Sequence, residues 1–281
     1  MKYVELIPGI SSSVLGFGCA PILGSVDAET SKNAIELALN YGINHFDLAR
    51  SYGYGEAEKF AGKLLKPNRK NLIITSKFGI IPNWRATFIR PIKPLLRTFK
   101  GILYMDKDDN NFENKKSGSS HANLFLNRIS INPENMLDSL HQSLRELKTD
   151  YLDYFFIHEP LEEIENLDEL MYAAQLLKKA GKIRALGLSF MRSQWSLHKN
   201  YIDIFDILQF DNSPNNPDYS WIQEERSAVS NIFFSSIKGQ YNSSKPEENI
   251  ANLHTDFPQS IILVSMFNPT HLKRNVDAIL T

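Results

Sequence analysis

Four polar residues have the types and spacing to do chemistry. Asp47 and Tyr52 lie in the stretch Asn44-His45-Phe46-Asp47-Leu48-Ala49-Arg50-Ser51-Tyr52-Gly53, Lys77 closes the apolar run Leu72-Ile73-Ile74-Thr75-Ser76, and His158 closes Asp153-Tyr154-Phe155-Phe156-Ile157. A carboxylate, a phenol, an ammonium and an imidazole brought together suit proton transfer to a carbonyl. A tyrosine with its ordinary pKa of about 10 is a proton donor at neutral pH. An ammonium at ~4 Å in an effective dielectric of ~20 attracts the phenolate by about 4 kcal/mol, which is up to roughly three pKa units. On that reasoning Lys77 is expected to bring Tyr52 near the operating pH, where general acid–base work is efficient. Asp47 would hold Lys77 in place and charged, and His158 would donate a hydrogen bond to the carbonyl oxygen. No side chain supplies a hydride, so a nicotinamide cofactor is implied. Each residue alone has an ordinary structural explanation. Four of the required types, each at or just past the end of a strand-like segment, make the functional reading the stronger one.

The elements that must position these groups alternate between strand-like and helix-like, which argues for a parallel sheet. The 281 residues are near the ~250 of one (β/α)8 TIM barrel, where catalytic groups sit at the C-terminal strand ends. A single domain over 1–281 is expected. Tyr3–Leu6 and Ser11–Ser13 around Pro8-Gly9 read as an N-terminal β-hairpin, and Val14–Gly18 as the first barrel strand. Further strands are expected at Ile43–Asp47, Leu72–Ser76, Asp153–Ile157, Ile183–Leu188, Ile204–Gln209, Asn231–Ser236 and Ile261–Val264. Intervening helices start at about Thr30, Gly55, Asn132-Pro133 with the stripe Leu137, Leu140, Leu144 and Leu147, Leu167, Ser193, Tyr219, Glu247 and Asn268-Pro269. Eight strands allow the barrel to close. A long irregular insertion, about 78–131, leaves the third strand.

Composition narrows the class. With 42% hydrophobic and 22% charged residues and a net charge of −1, nothing draws the chain toward nucleic acid or a membrane. A single cysteine, Cys19, excludes an internal disulfide framework and a multi-cysteine metal site; no metal is expected. Met1-Lys2-Tyr3-Val4-Glu5-Leu6 lacks a signal-peptide core, and no run approaches ~18 apolar residues, so a cytoplasmic protein without a transmembrane segment is expected. The expected partner is a small-molecule carbonyl, and the expected state a monomer or small homo-oligomer.

The chain resembles the aldo-keto reductases. Phe46-Asp47-Leu48-Ala49-Arg50-Ser51-Tyr52-Gly53-Tyr54-Gly55-Glu56-Ala57-Glu58 is close to that family's first signature, Ile74-Thr75-Ser76-Lys77 to its lysine strand, Asp153–His158 to its histidine strand, and Leu15-Gly16-Phe17-Gly18 to its opening strand. The resemblance runs from about Tyr3 to Ile279, interrupted after Lys77. It implies a TIM barrel, a nicotinamide cofactor with NADP(H) ahead of NAD(H), Tyr52 as the acid, and Asp47, Lys77 and His158 in the roles above. On the cofactor side, Gly187-Leu188-Ser189-Phe190 resembles the strand of a carboxamide-holding Ser-Asn pair; Ser189 is kept and Phe190 replaces the asparagine. Gln209 matches the glutamine at that amide, and Phe234 the aromatic that stacks on nicotinamide. The segment from Val264 to Asn275, with Ser265, Asn268 and Asn275, resembles the phosphate and adenine region. Ser265 and His271 stand where the family has basic residues for the 2′-phosphate, and Lys273 and Arg274 serve there only if they turn inward.

Between Lys59 and Met105 there is no Asp or Glu. Arg85, Arg90, Lys93, Arg97 and Lys100 are interleaved with Trp84, Phe88 and Phe99, and an acidic-polar stretch, 106–121, follows. Leaving the C-terminal end of a strand, this insertion belongs on the active-site face. It reads as a lid for an anionic substrate such as a phosphorylated or nucleotide-linked sugar, as a docking surface for an acidic partner or anionic membrane, or as an ordinary basic insertion. With no sequence after the last helix, it is expected to take over pocket closure from the family's C-terminal loop. The reading that results is an NAD(P)H-dependent reductase of an aldehyde or ketone. The alternative is a nicotinamide-nucleotide-binding barrel with a regulatory or scaffolding role.

Overall fold

The computed structural model describes residues 1–89, 123–237 and 245–280. Among them, eight strands close a parallel barrel: Leu15–Gly18, His45–Asp47, Ile73–Phe78, Leu152–His158, Ile183–Phe190, Ile207–Asp211, Asn231–Phe234 and Ile261–Val264. Each pairs with the next, and the eighth returns to the first through Leu263 beside Gly16 and Val264 beside Phe17. The expected hairpin is present, as antiparallel Tyr3–Ile7 and Ile10–Ser13. Its Leu6 and Ile10 pack with Ile73, Tyr154, Phe156, Ile207, Ile232 and Ile261, plugging the end of the barrel away from the catalytic groups. Parallel strands buried on both faces read as continuous apolar runs, which is why Leu152–His158 is buried at every position.

Local signals account for the helices. Pro133–Leu147 starts at Asn132, whose Oδ1 accepts from Asn135 N at 2.9 Å, with a proline in the first turn. The first helix, Ala28–Asn40, begins earlier than expected, because Asp27 rather than Thr30 is the cap and accepts from both the amide and the hydroxyl of Thr30. Gly42, at φ 79, ends it as expected. The helix after the fifth strand shrinks to Trp195–His198, flanked by short 3₁₀ turns, and the sixth strand starts at Ile207 rather than Ile204. Asp206 fixes that start, its Oδ2 accepting from Leu186 N at 2.8 Å. On Pro133–Leu147 the buried stripe uses Met136, Leu140, Leu144 and Leu147, and Leu137 is exposed.

The third strand corrects the expectation most. It runs on to Phe78, so Lys77 lies within it rather than after it. The insertion is also not irregular at its ends: Ile80–Pro82 pairs antiparallel with Leu126–Arg128, and Trp84–Ile89 is helical. Arg90, Lys93, Arg97, Lys100, Phe99 and the acidic-polar stretch lie outside the described residues.

Candidate active site

Asp47 ends the second strand, Lys77 stands near the end of the third, and His158 ends the fourth. Tyr52 sits on the 3₁₀ turn Tyr52–Tyr54, which brings its ring back over the barrel mouth. Lys77 Nζ donates to Asp47 Oδ2 at 2.6 Å, to Leu48 O at 3.0 Å and to Tyr52 OH at 3.2 Å. The rings of Tyr52 and His158 meet edge to face with centroids 5.9 Å apart. The four catalytic candidates therefore form one cluster, with Asp47, Lys77 and His158 all buried.

Asp47 has two more partners. Its Oδ1 accepts from Thr75 Oγ1 at 2.9 Å and from Gln209 Nε2 at 2.8 Å. The Thr75 contact follows from the strand pairing of Asp47 with Thr75. Gln209 crosses the barrel from the sixth strand. Because only the amide nitrogen can donate to a carboxylate, the Gln209 oxygen is the atom left over; it is buried without a partner, on a residue that lines the cleft.

Electrostatics at the cluster run against one expectation. Burial alone would raise the Asp47 carboxyl, but the charge and hydrogen bond of Lys77, with the Gln209 hydrogen bond, bring it below its ordinary value. The Tyr52 phenol is pushed well above its ordinary value, first by burial and then by the charges of Asp47 and Glu159. Lys77, 3.2 Å from the hydroxyl, does not outweigh burial and those two negative charges. Tyr52 is thus a phenol held protonated. His158 is lowered to about 3 by burial and by Lys77, so its imidazole is neutral, and its Nδ1 is buried without a partner.

One cleft, a cavity of about 260 Å³, collects Asp47, Tyr52, Lys77 and His158 with Ser189, Gln209, Phe234 and Ser265. Phe190 is outside it. Alternation along the strand turns Phe190 outward into an aromatic cluster, 5.9 Å from Phe210 and 5.7 Å from Trp195. Asn268 caps the last helix, its Oδ1 accepting from Thr270 N and His271 N, and Asn275 is buried on that helix. Neither lines the cleft. Gly18, Ser235, Ser236 and Ile237 do, unnoticed in the sequence. Gly18 carried a signal: a Cβ there would stand 3.1 Å from Ser265 Oγ, so a larger residue crowds the cleft wall. The orphaned Gln209 oxygen, Ser189 and the Phe234 ring suit a flat carboxamide-bearing ring. Among the described residues no group of His, Cys, Asp and Glu could hold a metal ion, and no helix is long and apolar enough to cross a membrane.

Comparison with known proteins gives concordant results. The model of the aldo/keto reductase family matches residues 14–214. Aldo-keto reductase YhdN of Bacillus subtilis is 30% identical over 198 residues, 67% of this chain and 47% of that protein. The chain spans about half the length of the curated relatives it matches. Among solved structures, the holo form of aldo-keto reductase AKR11C1 from Bacillus halodurans superposes with a TM-score of 0.70 at 21% identity, over 100% of this chain and 91% of that one. An aldo-keto reductase from Klebsiella pneumoniae in complex with NADPH superposes with a TM-score of 0.66 at 16% identity, over 100% and 90%. At these identities the structural likeness speaks for the fold.

Proposed function

Because the chain belongs to the aldo/keto reductase family, we propose that it reduces an aldehyde or ketone to an alcohol with a nicotinamide cofactor, Tyr52 delivering the proton. One observation carries this reading: Lys77 Nζ bridges Asp47 and the Tyr52 hydroxyl, while Tyr52 and His158 border one cleft. A reduced nicotinamide supplies the hydride when bound. Ser189, the free Gln209 oxygen and the Phe234 ring would hold its carboxamide-bearing end. His158, neutral, can donate one N–H to a carbonyl oxygen. Tyr52 OH accepts from Lys77, and its hydrogen is left for that same oxygen, because Asp47 Oδ2 is 3.5 Å away, at the limit of a hydrogen bond.

We put NADP(H) ahead of NAD(H) on the family resemblance; the Klebsiella pneumoniae neighbour was solved with NADPH, and its likeness speaks for the fold alone. The residues aligned with the phosphate end temper that order. Ser265 carries no charge and its Oγ donates to Gly18 O, and Lys273 is paired with Asp277, so neither offers an unpaired cation for a 2′-phosphate. Fluorescence titration with both dinucleotides decides between them. Tyr52→Phe tests the chemistry: kcat for aldehyde reduction should fall by a factor of about 10²–10⁴, with nicotinamide nucleotide still bound. Full turnover in that variant refutes the mechanism. Binding of nucleotide with no turnover by the natural chain points instead to a regulatory or scaffolding barrel.

A further inference from the structure

Tyr52 and His158 also border a second cavity, of about 730 Å³, on the side facing the insertion. Its walls come from the loops after the first, second and fourth barrel strands and from the ladder at the base of the insertion, through Ser25, Tyr54, Leu126, Arg128 and Leu161. Among the described residues two formally charged side chains line it, Arg128 and Glu159. Glu159 also lines the cleft that holds Ser189 and Gln209, so it stands where the two spaces join.

The backbone of Glu159 is left-handed, at φ 47, a conformation that non-glycine residues rarely adopt. It is clamped on both sides: Glu159 N donates to Ser189 O at 2.7 Å, and Arg128 Nη1 donates to Glu159 O. No hydrogen bond ties down its carboxylate among the described residues. The Arg128 guanidinium donates to the Glu159 carbonyl oxygen rather than to its carboxylate; it keeps its charge, which acts on that carboxyl, and Arg128 is exposed to solvent. The Glu159 carboxylate is partly desolvated, and its charge is felt at the Tyr52 phenol. Glu159 is the charged side chain that lines both spaces, whereas Arg128 lines the second alone.

We propose that Glu159 is a specificity-determining residue, admitting carbonyl compounds that carry a cationic or hydrogen-bond-donating group and disfavouring carboxylated ones. This rests on carbonyl reduction at Tyr52, and it runs against an anionic substrate. Three benzaldehydes of similar shape test it: unsubstituted, 4-carboxy and 4-trimethylammonio, assayed with NADPH and NADH at pH 8 and low ionic strength. The full-length protein should show a higher kcat/KM for the cationic aldehyde than for the carboxylated one. Glu159→Gln should lower that ratio about tenfold or more, and so should Glu159→Asn, whose side chain tolerates the left-handed backbone. A preference of the unaltered protein for 4-carboxybenzaldehyde overturns the proposal without any variant. An unchanged ratio, with all three rates falling together, overturns it as well and leaves Glu159 a backbone clamp. Turnover of none of the three by the unaltered protein removes the carbonyl-reduction reading, and the inference with it.

Discussion

Asp47 makes more contacts than a counter-ion for one lysine needs. Lys77, Thr75 and Gln209 all donate to it, so the carboxylate fixes the ammonium, its own strand and the far wall of the cleft together. Asp47→Asn keeps the shape and removes the charge, leaving the Lys77 ammonium buried without its counter-ion. Breaking a buried pair in this way costs about 3–5 kcal/mol. The expected outcome is a large fall in the urea midpoint along with loss of reduction. An unchanged midpoint would show that Lys77 finds another partner. The four catalytic candidates were legible in the sequence because each is a polar group at a strand end, where an apolar run makes it conspicuous. The rest of the network was not. Thr75 lies inside an apolar run and looks like a β-former, and Gln209 reaches Asp47 only because the sixth strand curls round opposite the second. The upward shift of Tyr52 is hidden from the sequence for a related reason. Pairing Tyr52 with Lys77 alone omits the burial that penalises the phenolate and the negative charges of Asp47 and Glu159, which raise the phenol further. A phenol held this far up stays protonated throughout the neutral range.

Among the elements, caps and apolar runs set the order of strands and helices, and those parts were readable in sequence. The ladder of Ile80–Pro82 with Leu126–Arg128 was not, because two three-residue strands separated by a long stretch of chain leave no periodicity to detect. Close approach of elements is similarly silent. Helix Ala57–Leu65 packs on Pro133–Leu147 at Gly62, where a Cβ would stand 2.6 Å from Leu147 Cα and 2.7 Å from Glu146 O. Those are backbone atoms and cannot swing aside. Gly62→Ala should therefore push the helices apart and destabilise by about 1–3 kcal/mol, against the ~1 kcal/mol gain that alanine brings to an exposed helix interior. Thermal unfolding gives the sign directly. A stabilised Gly62→Ala would show that the helices slide without cost. The same contact region holds a buried ion pair, Arg50 with Glu58, and Ser76 Oγ donates to Glu58 Oε1 at 2.6 Å. That network links the loop carrying Tyr52 to the strand carrying Lys77, so movement of the helix is expected to reach the cluster.

For the whole barrel, histidines lowered by burial make stability depend on pH, and the two lowered furthest, His45 and His158, stand at opposite ends; His198 and His254 act in the same direction. His45 lies at the plugged end, stacked on Tyr154 with centroids 5.8 Å apart, with Ser12 Oγ 3.3 Å from its Nδ1 and its Nε2 without a partner. Burial lowers it from 6.5 to about 4, and His158 at the mouth is lowered to about 3. Both imidazoles bind protons more readily in the unfolded chain. Stability from them is thus fully present above about pH 6.5 and is lost as pH falls toward their folded values. For His45 alone the loss reaches up to about 3 kcal/mol at pH 4. Asp47, lowered by Lys77, acts in the same direction but only in the carboxylate range below that window. The urea midpoint should therefore drop steadily from pH 7 to pH 5, before carboxylates titrate. His45→Gln, which keeps a polar group toward Ser12 and cannot take up a proton there, should flatten part of that slope. A midpoint independent of pH between 7 and 5 would show that a buried partner accompanies the protonated imidazoles. A slope unchanged in His45→Gln would assign it to the other lowered histidines, His158, His198 and His254.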